Sequence, residues 1–269
     1  SIIRTPLAGQ ESLWRATLLP ELTLVLATYN EAENLPPLVE ALEESGEDLH
    51  LVVDDDSPDG TGRIAQQLSE QFGNITVVSR PGRLGLGSAL QAGMAAALDT
   101  GARYVMTMDA DRSHDPEDVP RLLSAMKASG CDMVQGSRYA SGGGVRNWDA
   151  KRRLLSRVAN LTYRWTAGAP KECTTNFRVF SRSAAKAVLS RAKGSGYEFM
   201  AESTLLVMAA GFKIKEVPII FTGRLSGESK LDKRQVLKGI FLCGAYVLRD
   251  RLHPGRFSRR RASDAPALD

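Results

Sequence analysis

The stretch RYVMTMDADRSHDP, residues 103–116, decides how this chain is read. It opens with Tyr104-Val105-Met106-Thr107-Met108, an apolar run of strand length, and then places Asp109 and Asp111 one residue apart. A continuous apolar run predicts a strand buried on both faces, as in a parallel sheet covered by helices. The two carboxylates repel each other and gain nothing from packing, so their position just past such a strand asks for a cation. Asp115-Pro116 predicts the start of a helix with proline at its first position.

The same unit recurs on both sides. LTLVLA (22–27) predicts a strand, and Asn30 with Glu33 reads as a capping box for a helix carrying Leu35, Leu38, Val39 and Leu42 and ended by Gly46. A strand over Leu49–Val53 runs into DDDSPDG (54–60), followed by a helix over 61–72 and a strand over Ile75–Ser79. RPGRLGLG (80–87) leads to a helix from Ser88, and a strand over Asp132–Gly136 ends in GSR. A further strand is expected over Ile214–Phe221. Strands alternating with helices predict an α/β fold with a mostly parallel sheet and helices on both faces. Ligands of such sheets bind beyond the carboxyl ends of the strands. The clusters TYNE, DDDSPDG, DADRS and GSR all fall on that edge.

At 269 residues, 43% apolar and 25% charged, the chain has the composition of a soluble globular protein with a substantial core. Its charge is divided unevenly. Residues 1–150 carry 11 Lys/Arg against 22 Asp/Glu, and residues 151–269 carry 24 against 9. The acidic half suits a metal cation, and the basic half suits phosphates or an anionic membrane. The acidic strand-end edge argues against nucleic acid as the partner of the basic tail. Cys131, Cys173 and Cys243 are far apart, without metal-ligand spacing, and read as reduced thiols of a cytoplasmic protein. Residues 1–20 show no basic-then-apolar pattern, so no secretory leader is expected. The apolar stretch Gly239–Leu248 is about half of the roughly 20 residues a spanning helix needs.

Together, LATYNEAENL (26–35), VVDDDSPDGT (52–61), RLGLGSALQAG (83–93), MDADRSHDPEDVPRL (108–122), GSRYASGGGVRNW (136–148), FRVF (177–180) and GFKIKEVPIIFTGRLSGESKL (211–231) resemble glycosyltransferase family 2, and within it the polyprenol-phosphate (dolichol-phosphate) mannose synthases. The resemblance implies a GT-A-type, Rossmann-like fold. It implies an inverting, metal-dependent transfer of mannose from GDP-mannose to a polyprenyl phosphate. Asp109 and Asp111 would ligate Mg²⁺ or Mn²⁺, with Ser113 where relatives often carry glutamine. Ala27, Tyr29 and Glu31 would line the nucleotide site beside Ala110, and Val53 and Asp55 would meet base and ribose. Arg138, Arg224 and Lys230 would grip donor and acceptor phosphates, with Arg146 a further candidate. Asp54 and Asp56 are readable as turn residues only. Asp111, Arg138, Arg224 and Lys230 are the residues expected to carry catalysis.

The resemblance fits the chemistry. Charge builds on a leaving diphosphate, and a dication stabilises it. A phosphate acceptor, with a second pKa of about 6, is already anionic at neutral pH and needs no general base. Departures from the family pattern are ECTTNF (172–177), with Glu172 in place of an aspartate and Thr175-Asn176 in place of Ser-Gly, and Met200 in place of a glutamine. Glu202 and Arg178 match. Gly142-Gly143-Gly144 is expected to form a mobile lid.

The expected organisation is an extension (1–20), a catalytic domain (21–230), a basic amphipathic helix on the membrane surface (231–253) and a disordered basic tail (254–269). Lys151–Trp165 shows a similar basic, amphipathic pattern. The chain is expected to sit peripherally on the cytoplasmic face of the membrane. Alternatives are transfer of glucose or another sugar from a UDP-sugar, to polyprenyl phosphate or to a non-lipid acceptor, and a nucleotide-sugar-binding subunit without turnover.

Overall fold

A computed structural model describes residues 19–46 and 49–223. The extension up to residue 18, Arg224, Lys230, the expected helix over 231–253 and the tail over 254–269 lie outside the described residues.

Nine strands and seven helices alternate along the described chain: β1 (Leu22–Thr28), α1 (Leu35–Ser45), β2 (Leu49–Asp54), α2 (Thr61–Phe72), β3 (Ile75–Ser79), α3 (Leu86–Asp99), β4 (Tyr104–Asp109), α4 (Asp118–Ser129), β5 (Met133–Ser137), β6 (Gly144–Arg146), α5 (Ala150–Ala167), β7 (Arg178–Ser181), α6 (Arg182–Leu189), α7 (Glu198–Ala209), β8 (Ile214–Pro218) and β9 (Ile220–Thr222). Seven strands form one sheet in the order β3-β2-β1-β4-β7-β5-β8, and β6 pairs with β9 in a second. In the large sheet only β7 runs antiparallel to its neighbours β4 and β5.

Side chains alternate across the sheet, so each strand feeds two cores. Leu22, Leu24, Leu26, Met106 and Met108 meet α1, α2 and α4 on one face. Val25, Leu51, Val53 and Val105 meet α3, α6 and α7 on the other. The glycines of RLGLGSALQAG permit a close approach there. A Cβ on Gly87 would stand 2.6 Å from both Gly196 O and Phe199 Cβ. The adjoining loop is pinned by the buried Glu202, which accepts from the N–H groups of Lys193 (2.9 Å) and Gly194 (2.7 Å).

Three local expectations are corrected. The Asn30–Glu33 capping box does not form. Asn30 takes φ 56° and donates its N–H to Ser57 Oγ (3.1 Å), and the helix begins at Leu35. Pro36 and Pro37 lack N–H donors and are accommodated in a first turn, which moves the helix start past Asn30. Asp115-Pro116 likewise precedes its helix. Val119 N–H donates to Pro116 O, and α4 begins at Asp118 with Pro120 in its first turn. The strand expected over 214–221 is divided between the two sheets. Pro218 offers no N–H to continue the ladder, and Ile219 N–H turns back to Ser137 O (3.1 Å). In the triple glycine, Gly143 N–H donates to Ala140 O (2.9 Å), and Gly144 pairs with Ile220 in the second sheet.

Candidate active site

Register brings the sequence motifs together. Ala27 on β1 stands opposite both Val53 on β2 and Asp109 on β4, so three expected site residues form one row across the carboxyl edge. The Val53 side chain is buried beneath α3, and its carbonyl accepts from Thr28 Oγ1 (3.2 Å). Tyr29 follows β1, with the Arg83 guanidinium 4.7 Å above its ring. Glu31 is buried. Its N–H donates to Thr61 Oγ1 (2.9 Å), and its Oε2 accepts from Asn34 Nδ2 (2.8 Å).

The four aspartates of DDDSPDG divide their work. Asp54 accepts from Thr28 Oγ1 (3.1 Å), Ser57 Oγ (2.6 Å) and Ser57 N–H (3.1 Å), and Asp56 takes φ 53°; both serve the turn. Asp59 accepts from Thr61 and Ala32. Burial would raise its pKa, but those hydrogen bonds outweigh it and hold the carboxyl below its ordinary value. Asp55 is gripped by Arg80, which donates from Nε (2.6 Å) and Nη2 (2.8 Å), while Leu84 N–H donates to Oδ2 (3.1 Å). The carboxylate at the end of β2 is therefore an Asp55–Arg80 unit, not a lone group.

Asp109 is partly exposed at the end of β4. Its Oδ1 accepts from Asn176 Nδ2 (3.0 Å), and Asp111 Oδ1 accepts from Ser113 N–H (3.0 Å). Ala110 between them is buried, and Arg112 takes φ 59° to turn the chain. The Ser113 hydroxyl is buried without a hydrogen-bond partner. Two carboxylates and an unsatisfied hydroxyl are hard oxygen donors and fit Mg²⁺ or Mn²⁺. Such ions take one or two protein carboxylates and complete their shell with water and phosphate oxygens. Among the described residues no group of three His, Cys, Asp or Glu could hold a metal without such help. His114 lies behind the pair, between the rings of Phe177 and Phe221 (centroids 4.9 and 5.1 Å away). Burial pushes its pKa down to about 4 despite the opposing pull of Asp111. At neutral pH it is an uncharged acceptor for Asp109 N–H (3.4 Å).

Arg138 follows directly after β5. It is buried and bound by Glu172, with Nε 2.7 Å from Oε2 and Nη2 2.8 Å from Oε1, and Nη2 also donates to Thr174 Oγ1 (2.7 Å). Burial alone would lower its pKa; Glu172 more than compensates and raises it. Glu172 mirrors this: burial would raise its pKa, and Arg138 brings it down. The guanidinium also lies over the rings of Trp148 (5.2 Å) and Phe221 (5.4 Å), and Arg152 lies over the same Trp148 ring (4.2 Å). The bonds to Glu172 and Thr174 engage Nε and Nη2 and leave Nη1 outside them. Arg146 is exposed in β6. Arg178 is structural: buried, it donates to the carbonyls of Met200 (2.6 Å) and Cys173 (2.8 Å) and to Ser203 Oγ (2.5 Å). Burial lowers its pKa to about 10, so it stays cationic at pH 7.

The residues that sequence reasoning left without a role are the holders: Arg80 for Asp55, Glu172 for Arg138 and Asn176 for Asp109. Glu172 and Asn176 stood out only as departures from a pattern, and each lies far along the chain from the group it holds.

The sequence model of glycosyl transferase family 2 matches residues 23–189. The chain belongs to glycosyl transferase family 2. Among relatives of this glycosyltransferase, polyprenol monophosphomannose synthase of Mycolicibacterium smegmatis is 39% identical over 237 residues, covering 87% of this chain and 89% of that protein. Undecaprenyl-phosphate mannosyltransferase of Micrococcus luteus is 37% identical over 210 residues, covering 77% and 86%. Among solved structures, glucosyl-3-phosphoglycerate synthase from Mycobacterium tuberculosis, crystallised with Mg²⁺ and UDP, superposes with a TM-score of 0.60 at 22% identity over 90% of this chain and 85% of that one. The shared fold is the mixed α/β, mostly parallel GT-A architecture. No helix among the described residues is long and apolar enough to cross a membrane.

Proposed function

We propose that this glycosyltransferase moves mannose from GDP-mannose to the phosphate of a polyprenyl phosphate, with inversion at the anomeric carbon, while seated peripherally on the cytoplasmic face of the membrane. The observation that carries the reading is the Ala27–Val53–Asp109 row ending in Asp109, Asp111 and the unpartnered Ser113 hydroxyl. It occurs in a chain whose relatives are named for mannose transfer to polyprenol phosphates.

Asp109, Asp111 and Ser113 would hold Mg²⁺ or Mn²⁺. A dication there supplies Lewis-acid stabilisation of the charge growing on the departing diphosphate. Asn176 keeps the Asp109 carboxylate turned toward the edge. The nucleotide lies along Ala27, Tyr29, Glu31, the Val53 backbone and the Asp55–Arg80 unit, with Ala110 beneath. The acceptor phosphate is largely dianionic at neutral pH and attacks without a base. His114, sealed between two aromatic rings and uncharged, is unsuited to take a proton from it. The protein's task is to hold two anions side by side. Arg138 contributes Nη1 to this, its charge kept in place by Glu172, and Arg224 and Lys230 supply the remaining cations.

The test is incubation with radiolabelled GDP-mannose, a divalent ion and a polyprenyl phosphate, followed by lipid extraction. Label should enter the lipid phase, and Asp111→Ala should lower the rate by at least about 100-fold. Unchanged transfer in excess chelator would overturn the metal reading. Preferential use of UDP-glucose, or label only in a water-soluble product, would overturn the donor or acceptor reading.

A further inference from the structure

Helix α5 turns a mixed face inward. Tyr163, Ala159 and Ala167 join a small apolar cluster with Cys173 and Leu205. The rest of that face is polar. Asn160 is buried, accepts from Cys173 N–H (2.6 Å) and donates to Thr174 Oγ1 (3.1 Å), and Ser156 receives the Tyr139 hydroxyl (2.6 Å). Its outward face is apolar. Leu154, Val158, Leu161 and Trp165 recur at intervals of four, three and four residues and are 64%, 51%, 52% and 81% exposed. That spacing is a single stripe, roughly 16 Å long. A soluble helix turns such a stripe inward, so an exposed one marks a partner surface.

The flanks say which partner. Arg153, Arg157 and Arg164 run along one side of the stripe and Lys151 lies on the other, and no acidic residue falls within 150–167. An apolar stripe bordered by cations matches an anionic bilayer, whose headgroups meet the arginines while the leucines and Trp165 enter the acyl boundary. A second copy of this chain would set the same cations against each other. The segment 231–252 carries Lys233, Arg234, Lys238, Arg249 and Arg251 against Asp232 and Asp250, so it too repels this face. The position of the helix adds a reason. Its first turn holds Arg152 over Trp148, the ring that Arg138 also covers, so α5 packs next to the candidate site.

We infer that the Leu154–Val158–Leu161–Trp165 stripe of α5, with its arginine flank, is the surface by which the catalytic domain docks on an anionic lipid bilayer. This deepens the proposed function and rests on its lipid-borne acceptor.

The experiment uses the full chain with vesicles of phosphatidylcholine, alone or mixed with phosphatidylglycerol, and no sugar donor. The chain should sediment with the mixed vesicles, and Trp165 fluorescence should be quenched by brominated lipid, a signal lost in Trp165→Phe. Leu154→Ser with Leu161→Ser should weaken partitioning by on the order of 10-fold or more. Arg153→Gln, Arg157→Gln and Arg164→Gln together should remove the preference for phosphatidylglycerol. Partitioning unchanged by the serine pair, or Trp165 left unquenched in bound protein, would overturn the proposal in favour of another segment, the 231–253 stretch first. Gel filtration showing a self-associated chain that the serine pair dissociates would overturn it in favour of a second copy. Quenching in the unsubstituted chain does not depend on how well the variants fold. Vesicle binding through α5 without mannose transfer would refute the proposed function and leave this surface standing.

Discussion

Glu172→Gln should destabilise the protein far more than loss of an ordinary ion pair. Arg138 and Glu172 are both buried, joined by two short bonds, and Glu172 also accepts from the Thr174 N–H and hydroxyl (both 2.9 Å). Glutamine keeps the shape and most hydrogen bonds but removes the charge, leaving a guanidinium in a site where burial alone would lower its pKa. Breaking a buried pair in this way costs about 3–5 kcal/mol, against about 0–1 kcal/mol for exposed pairs. With a urea slope of about 2 kcal/mol/M, the unfolding midpoint should fall by roughly 1.5–2.5 M. Equilibrium urea unfolding followed by circular dichroism reads this directly. The paired replacement Arg138→Met with Glu172→Leu should recover most of the loss, because no charge is then stranded. A midpoint shift below about 0.5 M for Glu172→Gln would refute the argument. So would a double variant no better than the single one, which would place the cost in packing.

Asn176→Ala should leave folding intact but weaken divalent-ion binding several-fold in an isothermal titration, because Asp109 loses the amide that orients it; an unchanged affinity would remove that role. Gly87→Ala should lower stability by about 1–3 kcal/mol in a thermal melt, since its methyl would press on Gly196 O and Phe199 Cβ. A neutral result would mean that the loop over α3 moves aside freely. His50 is fully buried, its Nε2 3.1 Å from Glu43 Oε1 without hydrogen-bond geometry. Burial lowers its pKa despite Glu43, so the folded protein binds its proton less readily than the unfolded chain. Its contribution is therefore complete above pH 6.5, the ordinary histidine value, and is lost as pH falls below it. Urea unfolding at several pH values should show stability falling on acidification through that range, with a smaller fall in His50→Leu; equal slopes would contradict the assignment.

Much of the fold was legible before any coordinates, because its determinants are local. Strands over 22–28, 49–54, 75–79 and 104–109 are continuous apolar runs, and polar clusters stop them at one edge. Departures came where proline overrode a local signal. Pro36 and Pro37 moved a helix start, and Pro218 divided a strand between two sheets. The pair proposed to hold a metal was visible because Asp109 and Asp111 are neighbours in sequence. Its supports were not, because Asn176 reaches Asp109 and Glu172 reaches Arg138 only through the antiparallel insertion of β7 between β4 and β5.

The amino-acid pattern by itself determined the alternation of strands and helices, the acidic edge and the cation chemistry it invites, because hydrophobic period and charge spacing act over a few residues. Tertiary structure alone decided that Arg138 is a buried cation paired with Glu172, that Asp55 works as a pair with Arg80, and that the apolar stripe of α5 points outward. A helical stripe reads the same whichever way it faces, and a cation reads the same whether water or a carboxylate lies beside it. Only the packing of distant segments supplies that difference.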